Sequence, residues 1–382
     1  MIYLDYNAST PVDPAVREAM LPYLGEFYGN PSSGHFPGRR MRTAVQESRE
    51  KVAAMLGADV DEVIFTSGGT EANNFAIKSV ALTRAGRGRH IIISAVEHPA
   101  VDNPCKFLED NGYEVTRLEV DSTGRVDPQS LVGEIRPDTI LISIMHANNE
   151  VGTIQPIAEL AEIAREAGVL MHTDAAQSCG KIPTSVGDLG VDMLSLAGHK
   201  LCAPAGIGAL YVRKGVNLEP LHHGAGHEGG RRAGTEPVAA IVGLGVAAEL
   251  TRPHMNDAKY AALRDRLHAG LRGELGDALV LLGHPDERLP NTLAVGFRGL
   301  IGADVLAECP DICASTGAAC HSGRQQKSAT LAAMNVPDEV AFGAIRLSVG
   351  RFTTEEEIDS AVAQLARAVS QGKSGAEAAA RR

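Results

Sequence analysis

TILISIMHANNEVGTIQPIAELAEIAREAGVLMHTDAAQ, residues 139–177, decides the fold. Its opening run, TILISIM (139–145), is short, apolar and rich in β-branched residues, which reads as a fully buried strand. PIAELAEIAREAG (156–168) has helical spacing and ends on a glycine. VLMHTDA (169–175) is a second buried strand. The same rhythm surrounds this unit: DEVIFTS (61–67), HIIISAV (90–96) and DMLSLAG (192–198) read as strands, and EANNFAIKSVALTRAG (71–86) as a helix. Strands separated by helices imply a mostly parallel sheet covered on both faces. Ligands in such α/β folds gather beyond the carboxyl ends of the strands.

The rhythm loosens beyond Arg252–Pro253–His254. A long helix over 256–275, strands near 278–282 and 292–297, the segment IRLSVGRF and a closing helix over 354–370 point to a smaller α+β domain. The expected division is a large domain over 13–253 and a small domain formed by 1–12 with 254–382. The tail SGAEAAARR (374–382) is expected to fray.

Composition narrows the function. The 382 residues are 44% hydrophobic and 22% charged, without tryptophan, and 36 basic against 47 acidic residues leave a net charge of −11. That balance argues against a nucleic-acid surface. The N-terminus has no signal-peptide pattern and no run approaches a membrane span, so a cytoplasmic protein is expected. Six cysteines (Cys105, Cys179, Cys202, Cys309, Cys313, Cys320) in a chain this long do not form a disulfide framework, and their spacing suits no common zinc site. No metal is expected.

Several strand ends carry chemistry. SGGTEANN (67–74) offers small residues, the Thr70 hydroxyl and a helix start, a phosphate cradle in kind. Gly68–Gly69 could equally be a turn alone. His98 in VEHPAV could stack on a planar ring or only be hydrogen-bonded, and Asn148, Asn149 and Glu150 come after a third strand. Asp174 in TDAAQ suits a protonated ring nitrogen, or else caps a helix start. Lys200 in LSLAGHKLCAPAG lies just past an apolar strand. A lysine is costly to bury unless neutralised or bonded, and a Schiff base with an aldehyde cofactor is one reason for the placement. STGAACHSG (315–323) surrounds Cys320 with small residues, suggesting a mobile loop with an accessible thiol that His321 could activate. GLGVAA (243–248) matches a dinucleotide fingerprint, but EPVAAIVGLGVAAEL reads better as one helix with glycines for close packing.

From YLDYNASTP (3–11) and YGNPSS (28–33), through SGGTEANN, VEHPAV, HANNEVG, TDAAQ, GHK, RRAGTEP and GAACHSG, to IRLSVGRFTTEEEID (345–359), the chain resembles the cysteine desulfurase and selenocysteine lyase family. These are class-V aminotransferase-like enzymes of the fold-type-I pyridoxal-phosphate group. The resemblance implies pyridoxal 5'-phosphate held covalently by Lys200. Gly69, Thr70 and His199 would serve its phosphate, His98 its ring face, Asp174 its ring nitrogen and Gln177 its phenolic oxygen. Asn148 would lie beside ring and substrate, and Arg351 would grip the substrate carboxylate. Thr235 would reach the site of the other subunit in a homodimer, and Cys320 would take the sulfur before passing it to an acceptor protein. Two departures stand out: Ala197 where many desulfurases carry a phosphate-binding serine, and LCAP (201–204) where an aromatic residue and Gly-Pro are usual. The expected reaction is conversion of L-cysteine to L-alanine with a persulfide on Cys320. Selenocysteine lyase, acting on L-selenocysteine, is the nearest rival, and a non-catalytic sulfur-carrier homologue a more distant one.

Overall fold

Seven strands form one sheet: β1 (Val63–Thr66), β2 (His90–Ser94), β3 (Glu114–Leu118), β4 (Thr139–Ser143), β5 (Leu170–Asp174), β6 (Met193–Ala197) and β7 (Gly208–Val212). Their order is β1-β7-β6-β5-β4-β2-β3, and every neighbouring pair is parallel except the two made by β7. The expected α/β architecture is thus present. Strands β2, β4, β5 and β6 are buried along their whole length, which is why they read as continuous apolar runs without alternation. Each of these four ends one or two residues before its apolar run does, because the chain turns there into the cleft.

The computed structural model describes the backbone of residues 1–251, 258–316, 318–321 and 324–380, and side chains for all of these except 318–321, 324–325 and 373–380. The expected boundary at 252–254 lies outside the described residues.

Helices cover both faces of the sheet. On one side α1 (Phe36–Leu56), α4 (Ile157–Glu166) and α5 (Val238–Thr251) bury Val52, Leu56, Leu160 and Ile241. On the other, α2 (Gly69–Thr83) and α3 (Pro99–Glu109) bury Phe75, Ile77, Val80 and Val101. GLGVAA lies wholly inside α5, with no strand-to-helix turn. A Cβ on Gly245 would come within 2.7 Å of the Ser48 Cα on α1, so this glycine serves helix packing.

The C-terminal part builds an antiparallel sheet, β10-β11-β9-β8, from β8 (Leu279–Leu282), β9 (Thr292–Phe297), β10 (Ser315–Thr316) and β11 (Ala344–Ser348). It packs on α6 (Ala258–Leu275) and α7 (Glu355–Ala380) through Leu263, Leu267, Ile358 and Leu365. The first residues join this core: Ile2–Tyr3 pairs in parallel with Ile312–Cys313, and Leu4 is fully buried there. Two expectations change. Helix α7 runs to Ala380, through the segment expected to fray, because an Ala-rich stretch retains helical preference. The stretch expected to be a mobile loop carries a two-stranded ribbon, Ala318–His321 against Arg324–Lys327, in which Cys320 faces Gln325. The Cys320 side chain lies outside the described residues. Among the described residues no helix is long and apolar enough to cross a membrane.

Candidate active site

The carboxyl ends of β4, β5 and β6 and the start of α2 enclose a cavity of about 410 Å³. Among its walls are Gly69, Thr70, His98, Asp174, Lys200 and Arg346. Lys200 arrives by a tight turn. After β6 the chain makes one 3₁₀ turn, Gly198–Lys200, and a Cβ on Gly198 would meet the Ile207 side chain at 2.8 Å and its carbonyl oxygen at 2.9 Å. Only glycine fits, and the turn presents the lysine to the cleft. Its Nζ donates to the carbonyls of Asn7 and, at 2.7 Å, Ala8. Burial and the neighbouring Arg346 guanidinium push the Lys200 amine down to about 8, against opposing pulls from Asp5 and Asp174.

Asp174 closes β5 and is 6% exposed. Its Oδ2 accepts from Asn73 Nδ2 at 2.6 Å and its Oδ1 from the Ala176 N–H at 2.9 Å, so the carboxylate both caps the next turn and faces the cleft. The Asn73 Oδ1 is buried without a partner. His98 caps α3, its Nδ1 accepting from the Ala100 N–H at 3.0 Å; the neutral ring therefore carries its proton on Nε2. Burial lowers the His98 pKa, Asp174 opposes this and Lys200 adds to it. His199, with Nδ1 at 3.3 Å from Ser9 Oγ, is pushed down to about 4 by burial and by Lys200 and Lys181. Helix α2 begins at Gly69 with no side chain capping it, which leaves first-turn amides open beside Thr70. A Cβ at Gly69 would sit 3.3 Å from the Ala197 methyl, so the departure at 197 lines this same cradle.

Gln177 joins the site through a buried lysine. Its Nε2 donates to the Asn7 carbonyl at 3.0 Å, while its Oε1 accepts from Lys181 Nζ at 3.0 Å. Lys181 is 7% exposed; burial, aided by Lys200 and Arg346, pushes its amine down to about 7.

Two expected residues, Asn148 and Arg351, have their side chains engaged elsewhere. The Asn148 side chain is spent on its own turn: Nδ2 donates to the Val96 carbonyl at 3.1 Å and Oδ1 accepts from the Glu150 and Val151 N–H groups. Its neighbour Asn149 lines the cavity instead. Arg351 lies in an adjoining cavity of about 40 Å³ that shares Lys200, paired to Asp13 at 2.5 Å. Thr235 is exposed on the segment after Arg232, and the Cys320 side chain lies outside the described residues.

Sequence reading missed Asn7, Asn73, Lys181 and Arg346. Two of these left a trace. Asn73 lies four residues after Gly69, hence shares its helix face. Arg346 alternates with the core residues Ile345 and Leu347 on β11 and so points away from that core. Asn7 acts largely through its carbonyl, which residue type does not reveal. The LCAP departure also has a backbone use. Cys202 adopts a left-handed φ of 62°, with its N–H on Thr10 Oγ1 at 3.0 Å and its carbonyl accepting from the Asp13 N–H at 2.9 Å.

A basic cleft at parallel strand ends, with an amine, a carboxylate and an open helix start, defines an α/β enzyme built to hold an anionic ligand. The chain belongs to the class-V aminotransferase family, which matches residues 2–361. It is 48% identical over 372 residues to cysteine desulfurase IscS of Dictyoglomus turgidum, covering 96% of this chain and 94% of that protein. Among solved structures, a NifS-like protein superposes with a TM-score of 0.91 at 39% identity, over 97% of this chain and 99% of the other. SspA in complex with cysteine gives 0.83 at 37%, over 93% and 100%. These relatives favour the desulfurase expectation over the lyase and non-catalytic ones.

Proposed function

We propose that this chain is a pyridoxal-phosphate-dependent cysteine desulfurase, taking sulfur from L-cysteine and releasing L-alanine. The observation that carries the reading is the Lys200 amine, with its lowered proton affinity, in one cavity with Asp174 and His98. The residues present fit the cofactor. Open amides at the start of α2, Thr70 and His199 suit its phosphate, and the orphaned Asn73 Oδ1 marks a polar wall awaiting a donor. Asp174 suits the ring nitrogen, His98 the ring face, and Lys200 the aldehyde.

When bound, pyridoxal phosphate supplies the electron sink that acidifies the amino acid's Cα–H and weakens its Cβ–S bond. The side chains do the rest. Near neutral pH a usable fraction of Lys200 is unprotonated, so Nζ can attack a carbonyl and later carry a proton to and from Cα. Asp174, fixed by two donors, holds a proton on a partner nitrogen. Lys181 Nζ on Gln177 Oε1 and the Asn7 carbonyl on Gln177 Nε2 fix the amide with its NH₂ as the donating end. Asn148, through its turn, shapes the wall beside the substrate. Arg351 has the planar fork that suits a carboxylate. Thr235 of a second copy would complete the phosphate site in a homodimer.

Cys320 is the sulfur acceptor. The Cβ–S bond breaks, an S–S bond forms on Cys320 Sγ, and one thiol proton moves to Cβ: cysteine plus thiol gives alanine plus persulfide. The persulfide then passes to an acceptor protein. The test is Lys200→Ala. It should abolish both the near-visible absorbance of the purified protein and alanine release from cysteine. Turnover retained by that variant would defeat the assignment.

A further inference from the structure

One hydrogen bond joins the two ends of the cleft. Helix α2 carries the anion cradle in its first turn, at Gly69 and Thr70, with no side chain capping it. Asn73 follows one turn later, about 6 Å along the axis at about 1.5 Å per residue. It is 1% exposed, and its Nδ2 donates at 2.6 Å to Oδ2 of Asp174, the last residue of β5. Among the described residues this is the hydrogen bond that links α2 to β5. The other Asp174 oxygen is held by its own turn, through the Ala176 N–H at 2.9 Å. The Asn73 amide cannot be reversed, because its Oδ1 and a carboxylate oxygen both only accept. Oδ1 is therefore left buried without a partner, which weakens the fold. Ala72, Phe75 and Ala76 beside it are buried and apolar, and an apolar residue at 73 would carry no such penalty. The amide is explained by its hold on Asp174, not by packing.

We propose that Asn73 is a positioning residue that fixes the spacing between the anion cradle and the Asp174 carboxylate, so that a single ligand can engage both. The cradle belongs to α2 and the carboxylate to β5, and neither element sets the other's position along the cleft. At the helix start an added Cβ on Gly69 would lie 3.3 Å from the Ala197 methyl and 4.0 Å from that of Ala176. Small apolar side chains of this kind limit how closely the helix approaches but not its register. A short bond to a charged oxygen is directional and does set it. A ligand with an anionic group at one end and a protonated ring nitrogen at the other gains from both contacts only where their spacing is preset. Otherwise part of its binding energy is spent on bringing α2 and β5 into register. A ligand carrying one of the two groups is indifferent to that spacing.

The inference rests on the cofactor reading proposed above, and its test uses the full chain freed of cofactor with three ligands. Pyridoxal phosphate has both ends, pyridoxal lacks the phosphate, and inorganic phosphate lacks the ring. The first two are titrated by fluorescence and the third by calorimetry. Asn73→Ala should bind pyridoxal phosphate about tenfold more weakly than wild type, the order expected for one hydrogen bond to a charged group. Its affinities for pyridoxal and for phosphate should each stay within about twofold of wild type, since neither ligand spans the two contacts. A general loosening of the site would not give a loss confined to the longer ligand. An equal loss for pyridoxal would mean that Asn73 only orients Asp174, and an equal loss for phosphate that it only holds the helix start. Either result, or no loss for any ligand, overturns the proposal. Should Asn73→Ala fail to fold, Asn73→Ser, whose hydroxyl stops one bond short of the amide nitrogen, carries the same expectations. Failure of the cofactor reading would show separately, as a wild-type chain that takes up no pyridoxal phosphate.

Discussion

Replacing Lys181 by methionine should stabilise the protein at neutral pH and lose that advantage as pH rises. The amine is almost wholly buried, and its proton affinity falls to about 7. In an unfolded chain a lysine titrates near 10.4, about 3.5 units higher. A base with a lower folded than unfolded value binds more protons when unfolded, so wild-type stability rises with pH between those two values. Below pH 7 the full penalty applies, roughly 4–5 kcal/mol at about 1.4 kcal/mol per unit. Methionine keeps the apolar stem, removes the penalty and forfeits the bonds to Gln177 Oε1 at 3.0 Å and Asn7 Oδ1 at 3.5 Å. Those losses come to about 1–3 kcal/mol, mostly from the unpaired Gln177 oxygen. The net expectation at pH 7 is a gain of about 1–3 kcal/mol, shrinking by about 3 kcal/mol on going to pH 9.5. Scanning calorimetry of the cofactor-free chain at both pH values measures it. A difference between variant and wild type that does not change with pH would refute the reasoning. The same variant should lose activity, because Gln177 loses the contact that orients it.

Two further substitutions probe the cradle and its surroundings. Gly69→Ala places a methyl 3.3 Å from Ala197 at the start of α2. Alanine suits a helix, so the melting temperature should hold while pyridoxal-phosphate affinity falls about tenfold in a fluorescence titration, a change of about 1.4 kcal/mol; undiminished affinity would remove this glycine from the cradle. Glu228→Gln strips a buried carboxylate that takes Arg49 at 2.6 and 2.7 Å and the Phe65 N–H at 2.9 Å. Leaving Arg49, 12% exposed, without an anionic partner should cost about 3–5 kcal/mol in thermal unfolding and loosen hydrogen exchange along 226–236, the segment that bears Thr235. A loss below about 1 kcal/mol would mean the pair contributes little.

The fold was legible because its central strands are buried on both faces. HIIIS and TILIS have no alternation for a helix or a half-exposed strand to explain, and both are interior strands paired on each side. Less of β7 could be foreseen. Nothing in GALYV says that it runs against both neighbours, since an antiparallel strand buried on both faces looks the same in sequence as a parallel one. The ribbon strands Ala318–His321 and Arg324–Lys327 were hidden for the opposite reason: neither AACH nor RQQK shows a β-branched, alternating pattern, so a segment dictated by its partner strand reads as a loop.

Legibility at the site divides along chemical lines. Lys200, Asp174, His98 and Gly69 were found because each is an unusual residue type at a strand or helix end, and topology brings those ends together. What sequence could not supply is the acceptor side of the site. Lys200 is held by the carbonyls of Asn7 and Ala8, Gln177 by the first of them, and Arg346 by that of Asn149. Every residue has a carbonyl, so residue type carries no information about which ones converge. The three cationic or amide groups gathered on these oxygens come from the turn after β5, the end of β6 and β11, which only the folded chain makes neighbours. That is also why Asn148 misled: its amide could have faced a ligand, yet the turn Asn148–Val151 needed the same oxygen for two N–H groups. Where a backbone at a strand end must turn sharply, a polar side chain is first claimed by that turn, and only groups left over, such as Asn149 and the orphaned oxygen of Asn73, remain free to meet a ligand.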